Sequence, residues 1–263
     1  MKVLVIFFLA LLGYFGYGQS ASNIVQLQET LPLDADQFIG YDKFDYLYFV
    51  KNNVLYKSKN QELFEYKNLP LGQITKVDLL NPLKVIVLYE RFNTVITLDS
   101  QLNETLKVDF SQLKEPLVVS KTGIAAQNQL WVFDELSQQL FLYDTISGIL
   151  KTVGTPLSAG IIFYSSDFNT LEWIDKDKEW YQCSIFGNVK SLTFGIDYDS
   201  ILFSDNHLFI YQKGQEVLIF DKKSKNSYFV EKSMNSVKSV SFKNQILSIF
   251  TAQEIRNYKI TIP

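Results

Sequence analysis

The sequence predicts an all-β chain that closes as a six-bladed β-propeller, each blade a four-stranded antiparallel sheet. Three observations carry this expectation. Aromatic residues make up 15% and hydrophobic residues 47% of the 263 residues, a strand-favouring composition, and helical periodicity is weak throughout. A pattern returns about every 38 residues, the scale on which short strands form one unit of an array. Within each copy, β-branched or aromatic runs alternate with turn-forming residues.

The first element in the chain reads as a leader. Lys2 precedes an unbroken apolar run over 3–12, and Gly16 and Gly18 stand at the third and first positions before an expected cut after Gly18. The run falls well short of the ~20 residues that a bilayer span requires. Residues 1–18 therefore read as a secretory signal peptide and 19–263 as a single propeller domain. No later apolar run is of spanning length, and the expectation is an exported protein, periplasmic or at the cell surface or secreted.

The repeat is marked by Asn53, Asn93, Asn128, Asn169, Asn206 and Asn244, each followed two places on by an apolar residue: Leu55, Val95, Leu130, Leu171, Leu208 and Ile246. Three copies add an aspartate six places after the Asn, at Asp99, Asp134 and Asp175. Strands are expected at 45–50, 54–57 and 62–66, then at 84–89, 94–98 and 105–110. The next copies give 124–126, 129–133 and 139–143, then 161–164, 170–174 and 179–184, then 200–204, 207–211 and 216–220. Fourth strands follow at 148–153 and 227–230. Turns such as Asp205-Asn206 and Lys213-Gly214 supply residues that tolerate positive φ in tight hairpins.

A sheet of this size cannot cover both of its faces, so the units must stack on one another. The last copy, 238–262, holds only three strands, and the run 24–29 has no unit of its own. Residues 24–29 are therefore expected to complete the last blade, which closes the ring and covers two sheet edges. Seven blades are the alternative count, because 113–122 reads equally as strand or loop.

The stretches NPLKVIVLYERFNTVITLD at 81–99 and AAQNQLWVFD at 125–134 resemble exported propeller-like proteins of unknown function in Gram-negative bacteria of the Bacteroidota type. The resemblance implies a propeller and an envelope location, and it brings no catalytic residues. The Gly-His and Trp-Asp pairs of WD40 blades and the Trp-rich motifs of quinoprotein blades are absent.

Composition excludes several kinds of chemistry. With 25 Lys and Arg against 28 Asp and Glu, net charge −3, there is no chain-wide basic field for nucleic acid. One Cys and one His leave no inventory for a Cys/His metal site. The sharpest metal candidate is Asp175, Asp177 and Glu179, alternating carboxylates able to wrap Ca²⁺. Against it, the sixth and twelfth places of such a loop are Trp180 and Phe186 rather than Gly and Glu, which favours a charged hairpin. Asp99, Asp134 and Asp175 are expected to end equivalent strands and cap the turns that follow. His207 reads as a turn residue and Cys183 as a small buried hydrophobe.

Charge is uneven along the ring. Residues 161–203 carry seven acids, three lysines and ten aromatics; residues 206–243 carry three acids and seven lysines. Such neighbouring sectors suit a steered partner, with Trp173, Trp180, Lys222, Lys223 and Lys225 as the candidate contacts. The expectation is a non-catalytic envelope propeller that binds a protein or peptide as an adaptor or scaffold, without a cofactor. The competing reading is a propeller hydrolase, lactonase or sugar-binding module using axial carboxylates and Ca²⁺; convergence of the named carboxylates on one pocket would favour it.

Overall fold

The computed structural model describes residues 24–231, 237–251 and 253–261. The expected leader, 1–18, lies outside the described residues. Among the described residues, twenty-four strands form six four-stranded antiparallel sheets in a ring. After β1 (Val25–Pro32), the first blade holds β2 (Gln37–Tyr41), β3 (Leu47–Lys51), β4 (Val54–Lys59) and β5 (Glu62–Tyr66). The second holds β6 (Lys76–Asp78), β7 (Val85–Tyr89), β8 (Thr94–Leu98) and β9 (Glu104–Asp109); the third, β10 (Val119–Ile124), β11 (Gln129–Asp134), β12 (Gln139–Asp144) and β13 (Leu150–Val153). The fourth holds β14 (Ile161–Ser166), β15 (Thr170–Asp175), β16 (Trp180–Ser184) and β17 (Val189–Leu192); the fifth, β18 (Ser200–Ser204), β19 (Leu208–Lys213), β20 (Glu216–Asp221) and β21 (Asn226–Glu231). The sixth is built from β22 (Ser239–Lys243), β23 (Ile246–Phe250) and β24 (Glu254–Ile260), and β1 adds its outer strand.

The expected closure is present: Val25 lies opposite Ile260 and Pro32 opposite Glu254. Six blades form rather than seven, because the undecided stretch supplies β10, the innermost strand of the third blade.

The asparagine markers do not occupy one structural position. Asn53 and Asn93 sit between second and third strands, whereas Asn128, Asn169, Asn206 and Asn244 sit between first and second strands. The column slips by one hairpin because every hairpin rewards a turn-former equally. As a consequence, β2 and β6, the innermost strands of the first two blades, were not expected. Asp99 ends a third strand while Asp134 and Asp175 end second strands, so these carboxylates lie on opposite faces and form no ring.

Each blade hides its middle strands on both faces, since a neighbouring blade lies on either side. All five residues of β7 and all five of β8 are buried, and such strands read as continuous apolar runs. Outer strands are wetter: β17 buries none of its four residues. Six apolar clusters fill the six joints between blades. In four blades the pairing of the two innermost strands shifts register within the first strand, at Phe38/Gly40, Val119/Lys121, Ile161/Phe163 and Ile201/Phe203. Such bulges bend a strand and re-aim the side chains beyond them.

Candidate functional site

The antiparallel meander sorts the loops. Turns from first to second and third to fourth strands share one face, called here the hairpin face; the remaining turns and the linkers between blades share the other. On the hairpin face, lysines tie blade to blade. Lys243 bonds the Asp42 carbonyl and pairs with Asp45 at 2.7 Å. Lys57 donates to the Ser100 carbonyl at 2.5 Å and Lys84 to the Thr145 hydroxyl at 3.1 Å, while Lys222, which bonds the Asp205 carbonyl of its own blade at 2.6 Å, pairs with Glu172 of the fourth blade at 2.5 Å. These side chains span four of the six joints.

Between the first two blades this face opens into a groove of about 750 Å³, lined by Phe44, Tyr46, Lys57, Lys59, Phe64 and Leu83 among others. Phe44 is 46% and Leu83 60% exposed. Lys57 lies beneath them, its Nζ 4.2 Å from the centre of the Tyr46 ring. Burial pushes the Lys57 ammonium down from its usual value, opposed by Asp42, Glu62 and Asp99. Tyr46 donates its hydroxyl to Glu62, and Lys59 donates to the Phe44 carbonyl at 2.6 Å. The groove therefore has a fixed polar floor and apolar lips.

The expected contact residues are distributed differently. Trp173 is 2% and Trp180 5% exposed. Trp173 stacks on Tyr181 with centroids 5.3 Å apart, and Trp180 meets Phe209 edge-on at 4.4 Å. Both fill blade joints because a large ring gains most where two blades cover it, so neither offers surface to a partner. Lys222 is buried against Glu172. Only Lys223 and Lys225 stand exposed, in the turn after β20. Part of the sector charge contrast is thus consumed at its own boundary, where Lys222 meets Glu172 and Lys213 meets Asp197.

The carboxylate candidates serve their turns. Asp175 Oδ1 accepts the Asp177 and Glu179 amides at 2.9 and 3.0 Å. Asp99 Oδ1 accepts Gln101 and Asn103, and Asp134 accepts Val118 and Ser137. Among the described residues no group of three His, Cys, Asp or Glu side chains could hold a metal ion. His207 is exposed in its turn, with its amide on Asp205. Cys183 is buried, and burial pushes its thiol up to about 11.

Sequence reasoning missed the groove. Its signals were an aromatic in a turn between charges, Lys43-Phe44-Asp45, and a lysine at a buried position of β4.

Along the axis a second polar cluster forms. Asp78 accepts the Leu80 and Ile124 amides at 2.8 and 2.9 Å. The Tyr164 hydroxyl donates to the Thr122 carbonyl at 3.0 Å, and Lys76 Nζ lies 5.1 Å from the centre of the Tyr164 ring.

No protein-family model and no curated protein matches the chain. Among solved structures, the chain is similar to a catalytically inactive virginiamycin B lyase from Staphylococcus aureus with quinupristin, at TM-score 0.58 and 8% identity over 89% of this chain and 99% of that one. It is similar to BBS1N in complex with ARL6DN, at TM-score 0.58 and 11% identity over 90% and 97%. A chain of the mitotic checkpoint complex follows at 0.54 and 12% over 84% and 73%. At these identities the likeness is one of fold: this chain is a β-propeller. No helix among the described residues is long and apolar enough to cross a membrane.

Proposed function

We propose that this propeller is a non-catalytic binding protein of the cell envelope, which holds a protein or peptide partner in the hairpin-face groove between its first two blades. The observation that carries the reading is the pairing of exposed Phe44 and Leu83 with the fixed Lys57, Lys59 and Glu62 in one groove. Exposed aromatic and aliphatic anchors beside fixed charges are what a partner buries. The named carboxylates cap turns on opposite faces, which supports binding over hydrolysis assisted by Ca²⁺. The export expectation rests on the basic, apolar and small-residue order of 1–18.

Site-specific photo-crosslinking tests this reading. A photoreactive residue at Phe44 or Leu83 should trap one discrete adduct in native envelopes, and the same residue at Leu136, exposed on the opposite face, should not. Equal trapping from both faces, or none from the groove, would refute it.

A further inference from the structure

The innermost strands bring two ammonium groups together inside the ring. Lys76 of β6 and Lys121 of β10 lie on neighbouring blades. Asp78 shares the alternation of Lys76, and it reaches across the joint to the Ile124 amide of β10. Gly123 shares the alternation of Lys121; a Cβ there would collide with the Ser166 hydroxyl of β14 and lie 3.3 Å from Asp78 Oδ2. Lys76, Asp78, Lys121, Gly123, Tyr164 and Ser166 therefore face one axial space.

The charges in that space do not balance. Two lysines meet one carboxylate, and both oxygens of that carboxylate already accept backbone amides. Among the described residues the Lys76 ammonium meets no hydrogen-bond acceptor; its neighbour is the face of the Tyr164 ring. Among the described residues Lys121 reaches only the carbonyl of adjacent Ser120, at 3.3 Å. An ammonium carries three donors, and the Lys76 side chain stands exposed to the axial space, so those donors are open to a ligand. Desolvation by the surrounding strands presses the Lys76 ammonium downward, Asp78 opposes this, and the charge of Lys121 adds to it. Burial also raises Asp78, which weakens its negative charge.

We propose that the axial channel is a binding site for a small oxyanion, a phosphate or carboxylate group held between the Lys76 and Lys121 ammonium groups. Charge-assisted hydrogen bonds from both lysines would supply the affinity. The site is independent of the hairpin-face groove, because it is built from innermost strands and not from exposed turns.

Calorimetric titration with inorganic phosphate, and separately with succinate, against sodium chloride at matched ionic strength tests the site. Saturable binding of at least one oxyanion is expected, weakened by about tenfold or more in Lys76→Met and in Lys121→Met and unchanged in Lys223→Met. Which of the two probes binds identifies the oxyanion. No saturable binding by either probe, binding that survives both axial substitutions, or binding lost in Lys223→Met overturns the proposal. Lysine side-chain ammonium resonances of the unsubstituted protein provide a check that does not depend on the variants folding. Two of them should shift together with saturation, and an unresponsive spectrum counts against the site.

Discussion

Lys222 and Glu172 form a buried ion pair across the joint between the fourth and fifth blades, Nζ to Oε1 2.5 Å, with side chains 8% and 6% exposed. Ser204 completes the cluster, its hydroxyl 2.8 Å from Nζ and 2.9 Å from the carboxylate. Removing one partner of such a pair strands the other, at a cost of about 3–5 kcal/mol. Lys222→Met should lower stability by about 3 kcal/mol, and Lys222→Met with Glu172→Leu should recover most of the loss. Exposed Lys223→Ala should move it by less than about 0.5 kcal/mol. Urea unfolding midpoints decide this; a double variant no better than the single one would contradict it.

The sixth blade depends on its borrowed strand. Beyond the ladder, Asn257 donates to Glu29 at 2.9 Å. A chain lacking 24–32 leaves β24 as a bare edge, and bare edges recruit other strands. Light scattering after size exclusion should find oligomers, and the melting temperature should fall. A stable monomer would show that β1 is dispensable.

Gly40 has φ +141°, and a Cβ there would stand 2.5 Å from Ser241 Oγ in the neighbouring innermost strand. Gly40→Ala should cost about 2–4 kcal/mol, from backbone strain and overpacking together. Adding Ser241→Gly should return the packing share and leave the strain of about 1–3 kcal/mol. Full recovery in the double variant would mean that the backbone conformation costs nothing.

The joint between the first two blades buries three tyrosines. Burial raises Tyr89 to about 12 and pushes Tyr48 and Tyr66 higher still. In the unfolded chain these groups ionise near 10, so above that pH the folded state holds more protons than the unfolded one. Their contribution is complete below pH ~10 and is lost as pH rises through the raised folded values. Denaturant midpoints should hold steady up to about pH 10 and then fall. Tyr89→Phe should soften that fall; a midpoint flat through pH 12 would contradict the assignment.

Much of the ring was legible because doubly covered strands carry uninterrupted apolar runs: Val85–Tyr89 and Thr94–Leu98 announce themselves. Innermost strands do not. Lys76–Asp78 is three residues with one buried side chain, facing a polar axis, and it has neither an apolar run nor a clean alternation. Bulges after Phe38, Val119, Ile161 and Ile201 break the two-residue period where it would have been most useful. The site was less legible for a related reason. Trp173 and Trp180 look like contact residues beside their charged neighbours, yet burial is decided by blades far away in sequence. Phe44 belongs to a short turn, and its exposure follows from the face onto which that turn projects.

Val25 and Ile260 are ladder partners separated by almost the whole polypeptide. Blades one to five can each assemble from neighbouring hairpins, but the sixth waits for the two ends to meet. That encounter carries the largest loop-closure entropy of any pairing here. Long-range pairing of this kind retards folding. A ring left unclosed would present bare strand edges at its two ends, and such edges are where aggregation competes with folding.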